Sequence, residues 1–185
     1  EPLLGDARAQ VFIFASDAHF RPYKSRWQER PAALSGSHTR HGEGDAIAVD
    51  GSSQDVEGIL AHESIHLLAG RRWPDLPLWF EEGLAELYQT FELRGEEVRL
   101  GLPIPGHLRW LRGHRLMPLQ RLIEIHRRSP EYNERRLKEG FYAQSWALTH
   151  YLVIESEERR PQLLRFLELV RRGAGAGEAF VAAFD

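Results

Sequence analysis

The sequence predicts an α+β fold, with a small sheet before Asp55 and mainly helices after it. Two observations support this class. Short apolar runs rich in Val, Ile and Phe stand near the N-terminus, and apolar residues recur at helical spacing from Asp55 onwards. Strands that come early and helices that come late are typical of α+β proteins. Because the 185 residues show no internal repeat and no linker, we expect one domain, residues 1–185.

The N-terminal part of that domain, about residues 9–70, holds the predicted sheet and the first long helix. The run AQVFIFAS, residues 9–16, is apolar and rich in β-formers, which predicts a buried strand. A short helix and a loop follow it. Two extended pieces near 33–39 and 46–49 are separated by glycines, which predicts a hairpin. The long helix begins at Asp55, and Gly70 marks its expected end.

The second part, about residues 77–185, is predicted to be mainly helical. Pro77 suits the first turn of a helix with the sequence LWFEEGLAELYQTF. ELRGEEVRLG predicts a hairpin whose turn lies at Arg94-Gly95. The charged run EIHRRSPEYNERRLKE, residues 124–139, indicates a solvated surface or a mobile loop. The remaining predicted helices span residues 106–112, 118–126, 141–155, 161–172 and 178–184.

Composition excludes several classes of function. The net charge of −3 provides no basic field for nucleic acid or an anionic membrane surface. The absence of cysteine excludes disulfides, thiol catalysis and cysteine-ligated metal. No apolar stretch is long enough to span a membrane. The chain begins at Glu1 and ends on the helical sequence EAFVAAFD, so we expect a piece of a longer protein with further domains.

The stretch HESIH, residues 62–66, carries the strongest chemical signal. Residues four apart on a helix are rotated by only about 40°, so His62 and His66 can bind one metal ion together. Glu63 lies between them in angle and can reach a water on the metal without being a ligand, which is the logic of the H-E-x-x-H motif. We therefore expect two metal ligands and a general base. The alternative is a solvated helix face.

A catalytic zinc ion needs a third protein ligand and one open position. Glu82 and Glu86 are four apart and share one face of the second predicted helix. Two carboxylates on the apolar side of a helix are unfavourable unless a cationic group pairs with them. We expect Glu82 to be the third ligand and Glu86 to accept a hydrogen bond from the second nitrogen of His62. The alternatives are that Glu86 is exposed to solvent and that Glu82 is an ordinary surface residue. Glu81 is the neighbour most easily confused with Glu82 as the third ligand.

HESIH followed by PLWFEEGLAELY resembles the gluzincin metallopeptidases, and in particular the compact bacterial peptidase-MA-like domains. The resemblance extends over about residues 11–184 and implies a zincin-like fold, a Zn²⁺ cofactor and Glu82 as the third zinc ligand. A further segment, EGFYAQSWALTHYL, resembles the helix that carries a transition-state tyrosine in these families, which implies that role for Tyr142. The habits of the family favour an extracytoplasmic bacterial location, periplasmic or secreted, although the residues themselves leave the compartment open.

Taken together, these features predict a zinc-dependent metallopeptidase acting on peptides or proteins. Aminopeptidases of this group carry a Gly-Ala-Met-Glu-Asn-type strand that binds the substrate amine, and nothing here matches it, so we expect an endopeptidase. Two alternatives stay open: a non-catalytic zinc-containing binding or scaffold module, and hydrolysis of a non-peptide amide. The presence of Glu63 favours an enzyme.

Four further residues have simpler expected roles. Trp79 and Phe80 are expected to pack the two zinc helices together. His38 and His41 lie in the predicted hairpin, where zincins pair a strand with the substrate, and are expected to be structural or near substrate.

Overall fold

A computed structural model describes residues 9–24, 26–27, 30–31, 35–41 and 44–185. The sheet is mixed, with strand order β1-β5-β4. In it β1 runs parallel to β5, whereas β4 pairs antiparallel with β5 as the predicted hairpin. A second pair, β2 with β3, is only two residues long in each strand. The elements of this part are β1 (Ala9–Phe14), α1 (Asp17–Phe20), a 3-10 turn (Arg21–Tyr23), β2 (Arg26–Trp27), β3 (Arg30–Pro31), β4 (Gly36–His41) and β5 (Gly44–Asp50).

The prediction that the first strand is buried was wrong. Val11, Phe12 and Ile13 of β1 are 52%, 47% and 60% exposed. The reason is position: within the described ranges β1 pairs with β5 alone, and the helix that covers the sheet packs on β4 and β5. The predicted extended piece near 33–39 begins in residues 32–34, which lie outside the described residues.

The covering helix is α2 (Val56–Arg72), which carries the HESIH motif. The Asp55 side chain caps it by accepting a hydrogen bond of 2.9 Å from the backbone N–H of Gly58. The helix continues past the predicted stop at Gly70, because the N–H of Trp73 still bonds to the carbonyl of Ala69.

Apolar residues of β5 alternate with less buried ones and meet α2. Ile47 and Val49 form a small core with Leu67. At the far end of this layer, Arg71 Nε donates to Asp45 Oδ2 at 2.7 Å and holds α2 to β5. The position of α2 against the sheet is therefore fixed by a hydrophobic contact and an ion pair.

The rest of the chain is helical apart from one hairpin, which confirms the predicted α+β class. Of the two expectations for residues 124–139, the solvated surface is largely confirmed, because most of these residues are exposed. The run is not a loop throughout, since it holds α6 and the first turn of α7. The elements here are α3 (Leu78–Gln89), β6 (Glu92–Arg94), β7 (Glu97–Arg99), α4 (Pro105–Gly113), α5 (Leu119–Glu124), α6 (Pro130–Asn133), α7 (Arg135–His150), a π-helical turn (Tyr151–Glu155), a 3-10 turn (Glu157–Arg159), α8 (Arg160–Arg171) and α9 (Ala176–Phe184).

The helices α3 and α7 pack very closely. A Cβ atom added at Gly83 would lie 2.5 Å from the carbonyl oxygen of Ser145, and closer still to Thr149 Oγ1. Trp79 is fully buried on the same helix and stacks near Phe166 of α8, with ring centroids 5.9 Å apart. Trp79 and Phe80 thus join α3 to the C-terminal helices, and the expectation that they join the two motif helices was wrong.

None of the helices within the described ranges is both long and apolar enough to cross a membrane.

Candidate metal centre

Helices α2 and α3 bring His62, His66 and Glu82 together. The Nε2 atoms of the two histidines are 3.1 Å apart. Glu82 Oε2 lies 3.5 Å from each of them. The three side chains thus aim one ligand atom each at a common point and could hold a metal ion.

The spacing of these atoms fits a tetrahedral ion. Bonds of about 2.0–2.1 Å at tetrahedral angles place ligand atoms about 3.3–3.4 Å apart, close to the observed triangle. Glu82 is 1% exposed, and both of its carboxylate oxygens lack a hydrogen-bond partner in the described structure. A fully buried carboxylate without donors is strongly unfavourable. A cation at the centre of the triangle would satisfy it, so the residues fit a metal.

In the metal-free protein, the neighbouring carboxylates determine how readily the two histidines are protonated. Burial alone would lower the pKa of His66, but the Glu82 carboxylate and the bond to Glu81 raise it well above its ordinary value. Burial likewise opposes protonation of His62, yet Glu82 and Glu86 raise its pKa. The two imidazoles in turn hold the pKa of Glu82 well below its ordinary value, against the effect of burial. The carboxylates around the two histidines therefore favour a positive charge at this position.

Glu63 lies beside the triangle and outside it. Its side chain is buried, and burial raises the pKa of its carboxyl group, while the nearby histidines oppose that rise. The edge strand β4 passes directly over it: a Cβ at Gly36 would lie 2.9 Å from Glu63 Oε1 and 2.5 Å from Ile59 Cγ2. Only glycine leaves room here. A carboxylate with a raised pKa that is not a ligand can act as a general base.

The orientation of His66 is fixed by a residue that the sequence analysis treated only as a rival to Glu82. His66 Nδ1 lies 2.9 Å from Glu81 Oε1, so a proton on Nδ1 leaves Nε2 free for a metal. Arg127 Nη2 in turn donates to both oxygens of Glu81, at 2.9 and 2.8 Å. Glu81 therefore supports the second histidine.

The predicted hydrogen bond between Glu86 and His62 is not formed. Glu86 Oε1 is 3.8 Å from His62 Nδ1, and that nitrogen has no hydrogen-bond partner among the described residues. Glu86 Oε2 instead lies 2.9 Å from His107 Nε2 on α4, a helix that packs against α7. Glu86 is buried next to His62, as expected, but contributes charge rather than a hydrogen bond.

Tyr142 lies next to the centre, and its ring stacks over that of His62 with centroids 6.5 Å apart. Burial is the main cause that raises its pKa, with carboxylates including Glu82 and Glu63 adding to it. Its hydroxyl therefore stays protonated and can donate.

A second tyrosine, Tyr132, was missed. Its ring stacks on that of Tyr142 with centroids 6.4 Å apart. The Glu82 carboxylate is the largest cause of its raised pKa, ahead of burial, which indicates that this hydroxyl lies close to Glu82. Tyr132 and Arg127 both come from the charged run that was read as surface or loop. Ser129 followed by Pro130, an N-cap residue and a proline for the first helical turn, was the available signal for helix α6, which carries Tyr132.

His38 has a structural role. Its Nε2 lies 2.7 Å from Asp45 Oδ1, on the same side of the sheet as Arg71. The side chain of His41 lies outside the described part of the chain.

A family model described as "Protein of unknown function (DUF1570)" matches residues 58–172, which include every residue of the centre described above except Gly36 of β4. No curated protein and no solved structure matches the chain.

Proposed function

The chain belongs to the DUF1570 family, and we propose that it is a zinc-dependent metallopeptidase that cleaves within peptide chains. One observation carries the proposal: a buried glutamate, Glu63, stands beside three converging ligand atoms without being one of them. A purely structural metal site has no use for such a residue, since structural zinc is closed by four protein ligands.

The donor set supports zinc. Two imidazole nitrogens and one carboxylate oxygen suit zinc well, and three protein ligands leave one position open. Bound zinc would supply Lewis acidity, which activates water and polarises the scissile carbonyl.

The side chains of the protein supply the proton transfers. Glu63 takes a proton from the attacking water and delivers it to the departing amine. The Tyr142 hydroxyl donates to the carbonyl oxygen as negative charge develops there. Its position supports this role over that of Tyr132, because the Tyr142 ring stacks over the candidate ligand His62, whereas the Tyr132 ring stacks on that of Tyr142.

The fold supports the zincin-like assignment that the resemblance implies. A motif helix against a small mixed sheet, with a second helix that supplies a carboxylate, is the arrangement expected of a gluzincin centre. Among the strands that the structure describes, β4 pairs with β5 only, so its other edge, near Glu63, offers backbone groups to an extended substrate.

The first test is metal content, measured by elemental analysis on protein purified without added metal. We expect about one zinc per chain in the parent and a marked loss in Glu82→Ala. Glu57→Ala, at an exposed glutamate on the same helix as the motif, is the matched control and should keep its zinc.

The second test is turnover. A peptide library is incubated with the zinc-loaded parent and with Glu63→Gln, and products are identified by mass spectrometry. We expect cleavage by the parent, and loss of cleavage with retained zinc in the variant. Full zinc occupancy without cleavage by the parent would contradict the peptidase and favour a binding module. Equal cleavage by both proteins would show that Glu63 is not the base.

A further inference from the structure

Lys138 places an ammonium group beside the metal centre. It lies one turn before Tyr142 on α7, and its Nζ is 5.2 Å from the Tyr142 ring centroid and 5.9 Å from that of Tyr132. Because Tyr142 stacks over His62, a row of side chains runs from a metal ligand through Tyr142 to the Lys138 ammonium.

This ammonium is half-buried and has no carboxylate partner. Among the described residues Lys138 forms no salt bridge, and its ammonium group lies over the two tyrosine rings. Burial lowers its pKa, and the more distant carboxylates Glu82, Glu63 and Glu86 oppose that shift. Cation–π contacts stabilise a partly buried cation only modestly. An unpaired charge is therefore held at the edge of the site at some expense of stability.

A metal ion bound at the centre would neutralise the negative charge of Glu82, Glu63 and Glu86, which now favours the protonated lysine. The ammonium group would then contact aromatic rings only. An anionic group brought by a ligand would then be its natural partner, since a charge-assisted hydrogen bond to a carboxylate is among the stronger polar contacts.

We propose that Lys138 binds a carboxylate of the substrate within a few residues of the scissile bond. The inference rests on the proposed peptidase function and names a substrate class for it: peptides that carry a negative charge close to the point of cleavage. The charge can come from a C-terminal carboxylate or from an Asp or Glu side chain, and the two sources are distinguished by experiment.

The probe is a library of randomised, N-acetylated pentapeptides made in two forms, with a C-terminal carboxylate or a C-terminal amide. The zinc-loaded parent is compared with Lys138→Met, which keeps the aliphatic stem and removes the charge. Arg135→Met removes a charge from an exposed position one turn away and controls for long-range electrostatics. Zinc content is measured for all three proteins.

If the carboxylate is C-terminal, the parent cleaves the acid form at least about tenfold faster than the amide form, and Lys138→Met abolishes this preference. If it is a side chain, both forms are cleaved, products show Asp or Glu at a fixed position from the cleavage point, and Lys138→Met removes that enrichment. In both cases Arg135→Met behaves as the parent.

Binding gives a readout that does not depend on turnover. In the Glu63→Gln background, the affinity of the best acidic peptide should fall about tenfold or more on Lys138→Met, while its neutral counterpart binds unchanged. Cleavage by the parent with no preference for negative charge would overturn the inference and leave the peptidase proposal standing. Absence of zinc or of any cleavage would overturn both.

Discussion

At the scale of single residues, the histidines of the centre have two competing partners, protons and a metal ion. In the metal-free protein, burial would lower the pKa values of His66 and His62, but Glu82 and the neighbouring carboxylates raise both above the ordinary value. A raised folded pKa stabilises the protein below the unfolded value of about 6.5, and this stabilisation is lost as pH rises through the folded pKa. Zinc needs neutral imidazoles, so its binding strengthens over the same range.

We therefore expect opposite pH trends in the two forms. In chelator, the thermal midpoint should fall as pH rises above about 6.5, whereas zinc affinity should increase. Histidine proton resonances followed by NMR in metal-free protein should show two imidazoles titrating above pH 6.5. If both titrate at or below that value, the carboxylate field does not control them. Glu57→Ala, remote from the centre, should leave the titration unchanged.

We expect the two stacked tyrosines, Tyr142 and Tyr132, to have different roles. Tyr142→Phe removes the proposed donor, whose ring stacks over His62, and should lower kcat by ~10²–10³ with zinc retained. Tyr132→Phe removes a hydroxyl whose pKa is raised chiefly by Glu82, so it should weaken zinc binding first, and activity should recover in excess zinc. Zinc titration and steady-state kinetics on both variants distinguish these outcomes. The reverse pattern would assign the donor role to Tyr132.

At the scale of elements, the contact between α3 and α7 positions Glu82 relative to Tyr142. Gly83 permits that contact, because the backbone of α7 lies where a side chain would be. Gly83→Ala should force the helices apart and lower the free energy of unfolding by about 1–3 kcal/mol, with a loss of zinc affinity.

Chemical denaturation and zinc titration measure both effects of Gly83→Ala. Gly106→Ala is the matched control, since an added Cβ there meets nothing within 4 Å in helix α4. It should be neutral or slightly stabilising, as expected for alanine in a helix. A Gly83→Ala protein as stable as the parent would mean that α3 and α7 can adjust without loss.

At the scale of the whole molecule, the sequence predicted the parts whose signal is local. Helical spacing located α2 and α3, and the histidine and glutamate spacings correctly predicted that His62, His66 and Glu82 come together as a group that could hold a metal ion. Exposure of β1 was missed because a strand's burial depends on what packs against it, and no periodicity reports that. The same limit applies to Glu86, whose partner His107 is brought in by α4 from a distant part of the chain.

The prediction for residues 124–139 was incomplete, since most of these residues are exposed as expected but some contact the centre. Arg127 pairs with Glu81, the Tyr132 ring stacks on that of Tyr142, and the Lys138 ammonium lies over both rings. Composition cannot distinguish a charge that faces water from one that faces a buried carboxylate. Zinc identity, peptidase activity and the zincin-like assignment stay predictions.

The ligands and their surroundings come from separate stretches of the chain. His62, Glu63, His66 and Glu82 lie in α2 and α3, whereas Arg127, Tyr132, Lys138 and Tyr142 follow after the β6–β7 hairpin and α4. The candidate metal site depends on both stretches, because Arg127 binds Glu81, which orients His66, and α7 packs against α3 beside Glu82. The motif and the framework that orients it thus lie in different segments of the chain, and a short match to the motif alone does not report whether the site is assembled.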